Sequence, residues 1–304
     1  VQTCALPISS QGEASVAIGY NAGQPTQGSN SIAIGTSLAQ RQGIKSIAMG
    51  SNAAHESQGD HSIALGTQSG CNRQGSNSVA LGQKSGMVYQ GSNSVAIGAY
   101  AGSNSQSYNS VAIGEYAAAS LQKNHAVAIG QSAGYYGQGS NTVALGYNAG
   151  AIGQRTSSVA IGDNAGSNNQ SLSAVAIGPY AGQHYQNQQS IAIGLYAGSN
   201  SQATRGIAIG RDSGCNLQSQ DAIAIGYASA LNNQASNAIA IGPSAAKDNQ
   251  GSNSVAIGYK TGGFNQKSNS VALGSYAGSN QQGIDSVALG TYAGSNEQGN
   301  YSIA

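Results

Sequence analysis

Three cysteines, four histidines and ten carboxylates are the side chains of this 304-residue chain best suited to holding a metal or moving a proton. Metal sites bring such residues together at close, characteristic spacing. His55, His61, His125 and His184 do not: only the first two are near in sequence, and all four read as surface histidines. The carboxylates form no recurring pair, so general acid–base chemistry has no candidate. Neither a P-loop nor the glycine–aspartate repeat of calcium-binding β-rolls occurs. The expectation is a chain with no catalytic residue, no cofactor and no metal, and therefore not an enzyme.

Two other residue types recur with strict spacing. Glutamines stand at Gln27, Gln58, Gln74, Gln90, Gln106, Gln122, Gln138 and Gln154, and onward to Gln298. A primary amide both donates and accepts, so identical glutamines one strand spacing apart can hydrogen-bond along an axis. The row reads as a structural ladder that satisfies a turn, with a ligand-binding row as the alternative. Tyrosines fall in pairs 16 residues apart: Tyr100 and Tyr116, Tyr180 and Tyr196, Tyr276 and Tyr292. Their rings are expected to stack on an exposed face, either stiffening the chain or forming adhesive patches for protein or glycan.

What positions these residues is an internal repeat. A glycine closes the motif Ser-Val-Ala-Ile-Gly at Gly19 and then at 16-residue intervals to Gly290, apart from one 15-residue step between Gly35 and Gly50. The slot before the alanine is always β-branched (Val16, Ile32, Val79), and the slot after it is Ile, Leu or Met (Ile18, Met49, Leu65). This alternation is the period-2 signature of a strand. A second small slot three residues past the glycine (Ala22, Ala53, Ser69, Ala101) suggests a second short strand, and the Ser, Asn, Gly and Gln between are turn chemistry. One such coil cannot bury enough surface to fold alone, so coils must stack. The predicted fold is all-β, a parallel β-solenoid or β-roll of about 18 coils spaced ~4.8 Å apart, giving a rod about 85 Å long.

Stacking disposes of the cysteines. Cys71 and Cys215 share a slot nine coils apart, about 43 Å at that spacing, whereas a disulfide spans roughly 4.4–6.8 Å between Cα atoms. They are expected to be free thiols. Cys4 falls in residues 1–8 (VQTCALPI), which resemble a translated sequencing adaptor and are read as a non-native assembly scar. Residues 9–304 are read as one continuous repeat domain, part of a longer chain.

Composition narrows the function. With 45 glycines, one phenylalanine, no tryptophan and 7% charged residues, a conventional globular core is excluded. A net charge of +1 without basic or acidic runs gives no attraction for nucleic acid or anionic lipid. No apolar stretch approaches the ~20 residues that span a bilayer, so no membrane contact is expected in this segment. Strand one has two faces, and the preferred reading places Val and Ile inside the roll. On that reading Val159→Asp abolishes folding. The alternative, alanine inside, leaves an exposed apolar stripe that demands oligomerisation.

The string Asn93-Ser94-Val95-Ala96-Ile97-Gly98 resembles the core motif of YadA-like trimeric autotransporter adhesin head repeats, and the match recurs along residues 9–304. The resemblance implies a left-handed parallel β-roll, a homotrimer, and a bacterial surface rod that binds host matrix. The 16-residue coil is longer than that family's usual repeat. The expected function is thus an extracellular or cell-surface structural and adhesive fibre segment, self-associating and attaching multivalently to a surface protein or glycan. The competing reading is a purely mechanical filament-forming or matrix protein, or a viral or phage fibre shaft. Ice binding lacks its regular Thr-x-Thr rows, and disordered aggregation does not explain why the apolar slots never slip.

Overall fold

The computed structural model describes residues 10–38 and 40–304. Residues 1–8, with Cys4 and the scar reading attached to them, lie outside the described residues. The chain divides into two compact units, Val1–Ile152 and Gly153–Ala304. Each unit is a parallel β-solenoid, and among the described residues there is no helix.

In the first unit nine three-residue strands run from Val16–Ile18 to Val143–Leu145; in the second, nine run from Val159–Ile161 to Val287–Leu289. They pair in parallel with like residue on like. Val95 faces Val111, Ala96 faces Ala112 and Ile97 faces Ile113; in the second unit Ile191, Ala192 and Ile193 face Ile207, Ala208 and Ile209. Each coil bonds both neighbours. The Val95 N–H donates to the Ser110 carbonyl at 2.9 Å, and the Gly98 N–H donates to the Leu81 carbonyl at 2.8 Å.

A second set of strands ends on the glutamine, as in Asn104–Gln106 and Asn200–Gln202. This corrects the expectation that the second strand surrounds the small slot. That slot lies in a turn, because its neighbours sit in the left-handed region: Tyr100 has φ 59° and Gly102 φ 53° on either side of Ala101. A chain that reverses hand at alternate residues cannot stay extended. The opposite turn is set by asparagine, which tolerates this conformation, at Asn93 (φ 55°), Asn109 (φ 55°) and Asn253 (φ 56°). The serine before strand one closes it: Ser46 Oγ donates to the Gly43 carbonyl at 2.7 Å, and Ser286 Oγ does the same to Gly283 at 2.7 Å.

The roll is lined by alanine, not by Val and Ile. The strand alanines from Ala33 to Ala288 have no exposed surface, whereas their β-branched and Ile or Leu neighbours are half-buried or exposed. The preferred face assignment is therefore overturned. The reason is thickness. Opposite the strand alanines lie glutamine side chains, and in most coils a glycine stands beside the amide, which an added Cβ would approach closely: at Gly198 it would come within 2.9 Å of Gln202 Oε1 and 3.3 Å of Ala192 Cβ. A wall gap filled by a methyl group and an amide has no room for a Val or Ile side chain.

Candidate interaction surfaces

The outward Val and Ile residues form one continuous feature in each unit. Parallel in-register pairing puts every outward side chain of a strand directly above its counterpart, about 4.8 Å away, so two apolar columns run beside each other along nine strands. Members such as Met49, Leu81, Leu145 and Ile257 are 39–42% exposed. Two such side chains per coil give each unit an apolar stripe on the order of several hundred Å², at or above the ~300–600 Å² of the largest patches on ordinary monomers.

The glutamines lie inside. Gln106, Gln122, Gln202 and Gln218 are each at most 1% exposed. Each crosses the gap to strand one of its own coil: Gln106 Nε2 donates to the Val95 carbonyl at 2.8 Å. Most also bond the next coil, as in Gln58 to Gln74 at 3.2 Å, Gln74 to Gln90 at 3.1 Å and Gln90 to Gln106 at 3.2 Å. The row restarts at Gln122, whose Oε1 receives no hydrogen bond, and Gln122 donates to Gln138 at 3.0 Å. Gln27 donates to the Val16 carbonyl at 2.7 Å, and Gln154 Nε2 to Gln170 Oε1 at 3.2 Å. Buried in this way, the row offers no surface to a ligand.

The paired tyrosines are on the outside. Ring centroids are 4.9 Å apart for Tyr100 and Tyr116, 5.0 Å for Tyr180 and Tyr196, and 4.9 Å for Tyr276 and Tyr292, with the planes within 18° of parallel. All six residues hold φ between 56° and 61°, which turns each ring onto the same flank of its coil. Two of the three rows are headed by lysine, a feature the sequence reading passed over. Lys84 Nζ lies 5.2 Å from the Tyr100 ring centroid, and Lys260 Nζ lies 5.6 Å from that of Tyr276. The signal was present, since Lys84 and Lys260 each stand 16 residues before the tyrosine they cover. Lys260 also approaches Tyr259, and the hydrogen bond to that phenol holds its ammonium above the ordinary lysine range. Burial pushes Tyr276 above the usual tyrosine range, with its hydrogen bond to Tyr259 acting in the same direction.

The remaining chemistry-bearing residues are scattered. His125 meets Tyr108 edge-on at 5.7 Å, while His184 opens the strand His184–Gln186. Among the described residues no group of three or more His, Cys, Asp or Glu could hold a metal. One Gly-x-Ser-x-Gly string does occur, Gly130-Gln131-Ser132-Ala133-Gly134. A nucleophile elbow requires a strand–turn–helix, and this string is a repeat turn with Ser132 at φ 56° and no helix after it. Cys71 and Cys215 are half-buried free thiols. No helix among the described residues is long and apolar enough to cross a membrane.

Compared with known proteins, the chain matches the model of a family described as the YadA head domain repeat (2 copies), over residues 42–69, 105–133 and 138–165. No curated protein matches it closely enough to count as a relative.

Proposed function

Since the chain carries YadA-like head repeats, we propose that it is a segment of a trimeric, adhesin-like fibre displayed on a cell surface. The observation that carries this reading is the apolar stripe. A folded coil stack that leaves two columns of Val, Ile and Leu facing outward gains by covering them. A second and third copy of the same chain present the same columns at the same ~4.8 Å repeat, so every coil contributes equally to a self-complementary contact. Burial of the stripe on a shared axis leaves the tyrosine-bearing turns outward, where a periodic surface attaches through many weak contacts.

The test is the mass of the chain in solution by light scattering, alone and with aspartate at Ile193, Ile209 and Ile225. Three chain masses for the parent, falling to one for the triple variant with its β-sheet circular dichroism kept, is the expected result. A monomeric parent overturns the trimer. Long uniform filaments in negative stain would replace it with the mechanical reading.

A further inference from the structure

The second unit holds a cavity of about 420 Å³ lined by Ser244, Lys247, Lys260, Gly263, Phe264, Tyr276, Ser279 and Asn280. Its size lies within the ~300–1,000 Å³ of small-molecule sites. The repeat explains how it arises. Five residues past each motif glycine the other coils carry a side chain, such as Ser199, Cys215, Leu231, Lys247 or Ser279, and Gly263 is where that column loses it. Gly263 does not adopt a positive φ, so the slot does not call for glycine's conformational freedom. An added Cβ would lie 3.2 Å from the Ser279 carbonyl oxygen and 3.3 Å from that of Lys260, a fit that needs a shift of a few tenths of an ångström. Immediately after it stands Phe264, the chain's single phenylalanine, 50% exposed where the neighbouring coils have Asp248 and Asn280.

The lining has a definite chemistry. Lys247 and Lys260 bring two ammonium groups and the lining includes no carboxylate, so the site favours an anion. Phe264 and Tyr276 offer aromatic faces, and Lys260 is already drawn over the Tyr276 ring. Ser244, Ser279 and Asn280 supply hydroxyl and amide groups that both donate and accept. Flat apolar faces beside many two-way hydrogen-bonding groups and a positive charge suit a saccharide ring bearing a carboxylate. An inorganic anion would have no use for the rings, and a neutral sugar none for the two lysines.

We propose that this notch is a binding site for an acidic saccharide, its carboxylate between Lys247 and Lys260 and a ring face on Phe264. The inference deepens the adhesive reading and rests on it for the source of such a ligand, the glycan of a host surface.

The test uses the full chain. Titration calorimetry and saturation-transfer NMR would compare sialyllactose and a glucuronic acid disaccharide with neutral lactose. The variants Gly263→Ser and Phe264→Asn restore residues that an adjacent coil carries at those slots (Ser279 and Asn280), and unchanged β-sheet circular dichroism checks that each keeps its fold; Lys260→Gln removes one charge. At least one acidic saccharide is expected to bind tenfold or more tightly than lactose, with each variant weakening it tenfold or more. Equal binding of acidic and neutral sugars, absence of any saccharide binding, or full binding by Gly263→Ser and Phe264→Asn overturns the site. Full displacement by an equal concentration of inorganic phosphate overturns the saccharide, as does binding of an acidic peptide alone. Attachment of the parent chain to a cell layer is scored separately. If attachment persists while no saccharide binds, this site fails and the adhesive reading stands; if saccharide binds without attachment, the reverse holds.

Discussion

Gln202 Nε2 donates to Gln218 Oε1 at 2.9 Å, and the same nitrogen reaches the Ile191 carbonyl at 2.8 Å. One buried amide therefore ties its own two strands together and joins its coil to the next. Its Oε1 in turn accepts from Gln186 Nε2 at 3.2 Å. A solenoid this thin has little apolar volume to bury, and the amide row supplies directional bonds in its place.

Replacing Gln202 by methionine keeps the volume and removes the bonds. Gln218 Oε1 and Gln186 Nε2 then each lose a partner inside the roll, at a cost of about 1–3 kcal/mol. Because each coil touches only its neighbours, the loss should stay local. Hydrogen exchange is expected to speed up at the amides of strands Ile191–Ile193 and Ile207–Ile209 and to stay unchanged several coils away. Unchanged protection throughout would remove the row from the list of what holds the roll together.

The face assignment makes a paired prediction. Ala192 is fully buried against Gln202, so Ala192→Leu overfills the gap at a cost of about 1–3 kcal/mol or more. Val159→Asp places its charge on the outer face, because the strand Val159–Ile161 buries only its central alanine. It should leave β-sheet circular dichroism intact and weaken only association. The reverse ranking in thermal unfolding would restore a Val- and Ile-filled roll.

The period, the in-register stacking and the glutamine slot were all legible, because each is a property of the repeat itself. Which face of Val95–Ile97 turns inward was not. Alternation says that two faces differ, and the choice depends on the opposite wall, where Gln106 and Gly102 leave space only for the methyl of Ala96. The small slot at Ala101 misled for a related reason: small residues mark a tight place in either a strand or a turn, and the left-handed φ of Tyr100 decides for the turn. The motif glycine was readable as punctuation but not as a contact. Gly210 sits at φ 122°, with an added Cβ falling 2.6 Å from the Gly226 carbonyl oxygen, so it serves close coil approach as well as turning. The acidic-saccharide notch was hidden because it is a departure from the consensus, and a consensus averages Gly263 and Phe264 away.

The stacked tyrosines should couple measurably. Tyr100 and Tyr116 lie 4.9 Å apart at 11°, and a double-mutant cycle to alanine is expected to give a coupling of about 0.5–1.5 kcal/mol, toward the lower figure because the rings are partly solvated. In the parent chain Lys84→Met should lower the stability by about 0.5–1 kcal/mol through the lost cation–ring contact with Tyr100, and in the Tyr100→Ala background the same substitution should cost nothing through that contact. A coupling of zero would mean that the rings serve a partner and not the coil stack.

The thiol of Cys71 offers a check on the environment of one turn. Burial, the largest influence, pushes its pKa above the ordinary thiol range; a backbone hydrogen bond from His55 opposes this, and the nearby Glu56 carboxylate adds to it. For an acid with a raised folded-state pKa, the folded chain holds the proton more tightly than the unfolded one. The stability this contributes is complete below the unfolded thiol's pKa and is lost as pH rises through the folded value. Alkylation of Cys71 by iodoacetamide should therefore be slower at neutral pH than that of a free cysteine, with the rate still rising at a pH where a free cysteine (pKa ~8.5) has levelled off. Replacing Glu56 by glutamine should shift that profile to lower pH. A rate that already levels off at or below the free thiol's pH would show that the turn is open to water and that its coil is looser than its neighbours.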